Sequence, residues 1–323
     1  MTGRSATGPT PSQVTRQVTS QITGRALGPQ AARRRLLRPL AGLALAASAG
    51  LAGGAWLGAR HISGPRRPAM DYSFTPFEVG IEDAEDVSFA ASDGARLAGW
   101  WLERPGSERV VVMCHGHRGS KADLLGIGPG LWRAGNTVLM FDFRGNGGSG
   151  DGPQSLAHYE QRDLAAATDL AARRRPDAEI CLVGFSMGAA TSILVAAGDA
   201  RVAKVVADSP FADMRGVIEA AVRGWRLPPV PLVALADRAT QIGYGYRFSD
   251  VAPIDVVARI APRPLLIVHG TQDTVIPVEH ARRLAAAAGS GSRLEIVAGV
   301  GHCGAYFADR PGYIARVADF LAG

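Results

Sequence analysis

Ser186 stands in Gly184-Phe185-Ser186-Met187-Gly188, a G-x-S-x-G pentapeptide that follows the apolar run 180–185 and precedes helix-forming residues. A serine hydroxyl is a poor nucleophile until a base takes its proton, and the base works best when an acid holds it in one tautomer. Downstream, Asp273 closes His269-Gly270-Thr271-Gln272-Asp273 after one apolar run, and Gly301-His302 follows another. These residue types suit nucleophilic acyl transfer: Ser186 attacks, His302 moves the proton, and Asp273 orients His302. Asp208 is a second candidate for the acid, since it also follows an apolar run, although Asp208-Ser209-Pro210 reads equally as a turn whose carboxylate binds local amides. Attack on a carbonyl builds charge on its oxygen, which two backbone N–H groups can hold. The amide of Met187 is the first expected donor. His115-Gly116-His117-Arg118-Gly119 follows the run 109–114 and supplies the second through the amide of His117. The His117 side chain is not expected to catalyse, and His115 reads as a packed residue supporting this loop.

Each motif also has a bland reading: a glycine-rich turn, a turn aspartate, a surface histidine. Three coincident strand-end placements argue against all three at once. The glycines serve a physical need, because the serine must sit on a sharp, strained strand-to-helix turn where a Cβ on either neighbour would collide with backbone.

Such residues converge only if a sheet presents its strand ends along one edge. Short β-rich runs at 86–92 and 95–103, with Gly94 in the turn between them, are followed by apolar runs at 109–114 and 137–143, which read as buried parallel strands, and at 180–185, 202–207, 265–268 and 294–297. Residues 159–175 and 313–321 have helical spacing. Strand and helix alternate, so the pattern predicts a mostly parallel eight-stranded sheet covered by helices on both faces. Residues 211–260, with Trp225, Pro228-Pro229 and Pro231, interrupt the alternation and form a candidate lid insertion.

With these motifs the chain over about 80–323 resembles the α/β-hydrolase superfamily, in its serine-aminopeptidase-like and prolyl-oligopeptidase-like branch of anchored or exported bacterial hydrolases. The resemblance rests on His115-Gly116-His117, the segment Asp142-Phe143-Arg144-Gly145-Asn146-Gly147-Gly148-Ser149, the Ser186 turn, His269-Gly270-Thr271-Gln272-Asp273 and Gly301-His302. It implies the α/β-hydrolase fold, and the His-Gly-x-x-Asp setting favours Asp273 over Asp208 as the acid. Similar proteins often carry histidine where Asn146 stands, a departure in a structural loop.

The net charge of +6 is uneven: residues 1–70 contain ten arginines and no acid, leaving −4 on the rest. The basic cluster Arg33-Arg34-Arg35 with Arg38 abuts an apolar stretch rather than patterning a folded face, so nucleic-acid binding is not expected. Residues 1–38 form a basic leader whose polar composition predicts disorder. The 21 residues 39–59 carry no charge, enough for a single transmembrane helix spanning about 30 Å. Seven arginines precede the run, which places the N-terminus in the cytoplasm and the catalytic domain outside. Arg33-Arg34-Arg35-Leu36-Leu37 also resembles a twin-arginine export signal, with cleavage near Ala47-Ser48-Ala49 as the alternative. Gly42, Ala46, Gly50, Gly54 and Gly58 recur every fourth residue, the spacing of a helix-pairing homodimer face, though compositional bias explains it as well. Residues 60–79 are expected to be a linker.

Three scattered cysteines exclude a disulfide framework and a thiolate zinc site, and no metal or cofactor is implied. The expected activity is hydrolysis of an ester, thioester or amide of a small acyl substrate, carboxylic ester first. A serine peptidase of the same fold is the nearest alternative. A catalytically silent membrane-anchored binding module is the rival from another class.

Overall fold

The computed structural model describes residues 48–64 and 74–323. The leader, the first nine residues of the expected anchor, and 65–73 of the expected linker lie outside the described residues. The chain divides into two units, Met1–Gly53 and Gly54–Gly323. The first is described only over 48–53, which is helical.

The second unit carries one sheet of eight strands: β1 (Glu85–Ala90), β2 (Arg96–Leu102), β3 (Arg109–Cys114), β4 (Thr137–Asp142), β5 (Glu179–Phe185), β6 (Val202–Asp208), β7 (Leu265–Gly270) and β8 (Ser292–Val297). Their order is β1-β2-β4-β3-β5-β6-β7-β8. β2 is antiparallel to both neighbours, and every pair from β4 to β8 is parallel. The eight expected strands are all present.

Helical residues 48–63 form α1. The others are α2 (Gly128–Arg133), α3 (Glu160–Arg174), α4 (Met187–Gly198), α5 (Met214–Gly224), α6 (Pro229–Tyr244), α7 (Glu279–Ala288), α8 (Ala305–Ala308) and α9 (Arg310–Ala322). Strand periodicity divides the core into two layers. Along β3, Val110, Val112 and Cys114 pack with Leu164 and Ala167 of α3, Ile193 of α4 and Leu284 of α7. Val111 and Met113 point the other way, to Leu131 of α2 and Tyr313, Val317 and Leu321 of α9. Central strands buried on both faces have no room for polar side chains, which is why their sequences read as unbroken apolar runs.

β3 lies between β4 and β5, so the connections β3 to β4 and β4 to β5 run in opposite directions across the sheet. The crevice that opens at the carboxyl ends of β3 and β5 is the natural binding place of such a sheet.

Part of the expected anchor and linker falls on described residues. No helix among the described residues is long and apolar enough to cross a membrane. Ala55 and Ala59, inside the expected span, are 7% and 0% exposed within the second unit, and residues 60–63, expected as linker, continue the helix. A charge-free Ala/Gly helix fits a protein surface as readily as lipid, so its composition cannot separate the two. The 211–260 insertion folds as α5, α6 and three short 3-10 turns, anchored on the core by Val222, Val233, Tyr246 and Phe248. Trp225 is 69% exposed at the end of α5 and neither packs on the core nor faces the cavity described below.

Candidate active site

β5 ends at Phe185 and α4 starts at Met187, leaving Ser186 alone in the turn with φ 54° and ψ −116°. This sparsely populated backbone costs on the order of 1–3 kcal/mol and must be held by its surroundings. The Ser186 N–H donates to the Asp208 carbonyl at 2.8 Å, and the Ser186 carbonyl accepts from the Ala190 N–H at 3.1 Å. A Cβ at Gly184 would lie 2.3 Å from the Gly188 carbonyl oxygen, and one at Gly188 would lie 2.4 Å from that of Cys114. Neither position admits a side chain, so the two glycines let β5, α4 and the end of β3 approach closely enough to form the turn.

The loops after β7 and β8 bring the other two groups. A Cβ at Gly270 would lie 2.3 Å from the Val300 carbonyl oxygen, so this glycine sets how closely the loops approach. They are joined by Gln272 N–H to Val300 O at 2.9 Å and Gly299 N–H to Thr271 Oγ1 at 2.9 Å. His302 Nδ1 then lies 2.7 Å from Asp273 Oδ2, and His302 Nε2 lies 2.8 Å from Ser186 Oγ. A carboxylate only accepts, so Nδ1 carries the proton and Nε2 offers its lone pair to the serine hydroxyl.

Asp273 is saturated with donors. Its Oδ1 accepts from the amides of Val275 and Ile276 at 2.9 and 2.8 Å, and its Oδ2 lies 3.2 Å from His269 Nε2 as well as against His302. Burial by itself would raise its pKa; the hydrogen bonds from His269, His302 and Ile276 outweigh burial and hold the carboxyl well below the usual range. His269 shares its Nε2–H with the Ile276 carbonyl at 2.8 Å, while its buried Nδ1 has no partner. Donating from Nε2, this ring positions the acid. Its role carried no signal in the sequence beyond its place in the His-Gly-x-x-Asp segment.

Asp208 points into a different network. Its Oδ2 accepts from Tyr313 OH at 2.9 Å and its Oδ1 from Ser209 Oγ at 2.9 Å, and burial raises its pKa. Ser209 Oγ in turn accepts from the Cys303 N–H at 3.1 Å. Asp208 thus braces the loop next to His302 from below, whereas the carboxylate on the His302 ring is that of Asp273.

The loop after β3 flanks the serine: a Cβ at Gly116 would stand 3.6 Å from Ser186 Cβ. His115 staples it, accepting from the Phe143 N–H through Nε2 at 3.0 Å and donating through Nδ1 to the Gly116 carbonyl at 2.7 Å. Burial lowers its pKa, in keeping with a neutral ring. The His117 side chain turns away from Ser186, its Nε2 lying 3.2 Å from the Ile62 carbonyl, and burial lowers its pKa to about 4. Met187 opens α4, where a helix leaves its first amides without carbonyl partners. Asn146 donates through Nδ2 to the Arg144 carbonyl at 3.0 Å, bracing its own loop. In the same segment Asp142 meets Lys121 Nζ at 2.6 Å, a buried pair the sequence did not reveal.

Ser186 and His302 open onto a cavity of about 630 Å³, whose apolar walls are Leu124, Ile127, Val275, Tyr306 and Phe307 and whose charged lining is Asp123 and Arg310. Cys303 also lines it. Burial, then Asp208, push the Cys303 thiol far above its ordinary range, which disfavours its thiolate. Iodoacetamide at about pH 8 is accordingly expected to leave Cys303 unmodified in the folded protein. Rapid carbamidomethylation of this residue by peptide mass spectrometry would contradict the expectation.

Comparison with known proteins agrees with this architecture. The model of the alpha/beta hydrolase family matches residues 111–317. The chain is 31% identical over 224 residues to the uncharacterized protein Rv2307c of Mycobacterium tuberculosis, covering 67% of this chain and 72% of that one. It is 28% identical over 247 residues to the uncharacterized protein YqkD of Bacillus subtilis, covering 75% and 81%. Among solved structures, the Pyrococcus furiosus esterase Pf2001 superposes with a TM-score of 0.66 at 24% identity, over 80% of this chain and 97% of that one. The esterase domain of a Rhodothermus marinus protein gives 0.54 at 21%, over 74% and 97%.

Proposed function

The chain belongs to the alpha/beta hydrolase family, and from that premise we propose that it is a serine hydrolase acting on carboxylic esters. The observation that carries the reading is the unbroken relay Ser186 Oγ to His302 to Asp273, with links of 2.8 and 2.7 Å, at the wall of an apolar cavity. Ser186 Oγ attacks the ester carbonyl carbon while its proton passes to His302 Nε2. The carbonyl oxygen takes up the negative charge and is held by the amides of Met187 and His117. Collapse of the tetrahedral species breaks the carbonyl–alkoxy bond, and the departing alkoxide takes the proton from Nε2. Water then repeats the sequence on the acyl-serine, losing its proton to His302 and releasing the acid. Throughout, Asp273 stays ionised, fixes the ring and offsets the imidazolium charge.

The apolar part of the wall suits an acyl chain, which gains about 25 cal/mol for each Å² removed from water, while Asp123 and Arg310 are the charged groups a peptide terminus would meet in the same cavity. The esterases among the structural relatives support the same substrate class. A fluorophosphonate is expected to label the wild-type protein once per chain, and p-nitrophenyl esters of medium-length acids are expected to give kcat/KM at least tenfold above aminoacyl p-nitroanilides. No labelling and no turnover would replace this reading with that of a silent binding fold. A preference for the anilides would make the protein a peptidase.

A further inference from the structure

We propose that helical residues 54–63 are a working part of the active site: the carbonyls at the end of this helix hold the loop that carries the His117 oxyanion donor. The inference rests on the hydrolase reading above and extends it to a segment that lies outside the strands and loops forming the site.

The contacts form one face of the helix. Ala55, Ala59, Ile62 and Ser63 fall at i, i+4, i+7 and i+8, the repeat of a packed helical stripe. Ala59 and Ser63 are fully buried. Ser63 Oγ is 2.7 Å from the hydroxyl of Tyr246, a core residue just beyond α6. A Cβ at Gly243 would lie 2.9 Å from the Trp56 ring, so the indole rests on the backbone of α6. Gly54 and Gly58, part of the glycine stripe, have nothing within 4 Å of where a side chain would be, so the docked face is the alanine face.

The helix end explains what this docking does. The last carbonyls of a helix lack intrahelical partners and carry the negative end of its dipole. Arg60 O is capped by the Gly64 N–H at 2.8 Å. The next two carbonyls are taken by the oxyanion loop: the Arg118 guanidinium donates to His61 O, and His117 Nε2 donates to Ile62 O at 3.2 Å. Arg118 sits at φ 60°, a left-handed conformation that a side chain rarely adopts and that persists only where contacts over-determine it. His115 fixes the near side of this loop through Phe143 and Gly116. The helix end fixes the far side, so the His117 amide between them is held from both directions.

The test uses the full chain. Ala59→Glu puts a carboxylate into the buried face and lifts the segment, and His117→Phe removes the side-chain donor while leaving the amide. Leu57→Glu puts the same charge at a position 66% exposed. The first two are each expected to lower kcat for a p-nitrophenyl ester roughly 10²-fold, the scale of a displaced oxyanion donor, with KM changed less than about threefold. The double variant is expected to be no slower than the slower single one, because both break one connection. Leu57→Glu is expected to keep the wild-type rate. Wild-type kcat in folded Ala59→Glu or His117→Phe, losses that multiply in the double variant, or an effect confined to KM would overturn the proposal while leaving the hydrolase reading in place. Should Ala59→Glu not fold, His117→Phe alone decides. A wild-type chain that neither turns over esters nor takes a fluorophosphonate overturns both readings together.

Discussion

Replacing Ser186 by alanine is expected to lower kcat by about 10⁶, the loss known for the nucleophile of a subtilisin-type triad, equivalent to roughly 8 kcal/mol of transition-state stabilisation. The size follows from the role: without Oγ no acyl-enzyme forms, and His302, though still oriented by Asp273, has no proton to accept. The fold is expected to survive. The bonds that hold the turn run through the backbone, from Ser186 N–H to Asp208 and from Ala190 N–H to the Ser186 carbonyl, and an alanine keeps both. Alanine also fits wherever the serine side chain did, and the φ of 54° is no worse for it. A thermal midpoint within a few degrees of wild type, together with lost phosphonate labelling and lost ester turnover, is the expected result. Turnover near the wild-type rate in a folded variant, or a label found on Cys303 or Ser209, would disprove the mechanism.

Those residues were readable because their chemistry is tied to strand ends. The glycines around Ser186 are forced by contacts of 2.3 and 2.4 Å, so the turn left its mark on residue type. Asp273 follows β7, buried along its whole length, and His302 follows β8, which is only partly buried but is still marked by Leu294, Ile296 and Val297. The sheet was readable for the same reason: Val110 to Cys114 is apolar on both sides because α3 and α9 cover both faces. What stayed hidden is held by groups that leave no mark in sequence. The acceptors that hold His117 and Arg118 are backbone carbonyls, which any residue supplies. Ala55 and Ala59 suit lipid and protein equally, so their composition does not reveal that they are buried. The interruption of the alternation at 211–260 suggested a lid over the cavity, yet the apolar walls come from Leu124, Ile127, Val275, Tyr306 and Phe307, scattered along the chain and assembled only by the fold. Asp208 remained a rival because its place after β6 is formally as good as that of Asp273 after β7. Only the partners of the two carboxylates separate them.

Asp273→Asn is therefore the sharper test of the site, with an expected fall in kcat of about 10⁴ and little change in fold. The amides of Val275 and Ile276 that now bind Oδ1 fix which way the asparagine sits: its carbonyl oxygen takes the place of Oδ1 and accepts from both, and its NH₂ faces His302 and His269. An NH₂ opposite His302 Nδ1 favours the tautomer protonated on Nε2, which cannot accept the serine proton. The imidazolium formed during attack also loses its counter-charge. Lowering the pH does not mimic this change within the working range, because the wild-type carboxyl is held below its ordinary pKa and stays ionised. The sign follows from linkage: a depressed folded pKa adds stability above the unfolded value of about 4, and that stability is lost as pH falls below it. The wild-type to variant rate ratio is thus expected to be flat from about pH 6 to 9 so far as the acid is concerned. Asp208→Asn is expected to cost less than about tenfold in kcat, since its amide oxygen can still accept from Tyr313 or Ser209 and its contact with the His302 loop is indirect, through Ser209 and Cys303. Its larger effect is expected on the thermal midpoint. Steady-state kinetics and melts of both variants decide the matter: a 10⁴-fold loss in Asp208→Asn beside near-normal turnover in Asp273→Asn would move the acid to the end of β6 and leave the 2.7 Å contact between His302 and Asp273 without a catalytic role.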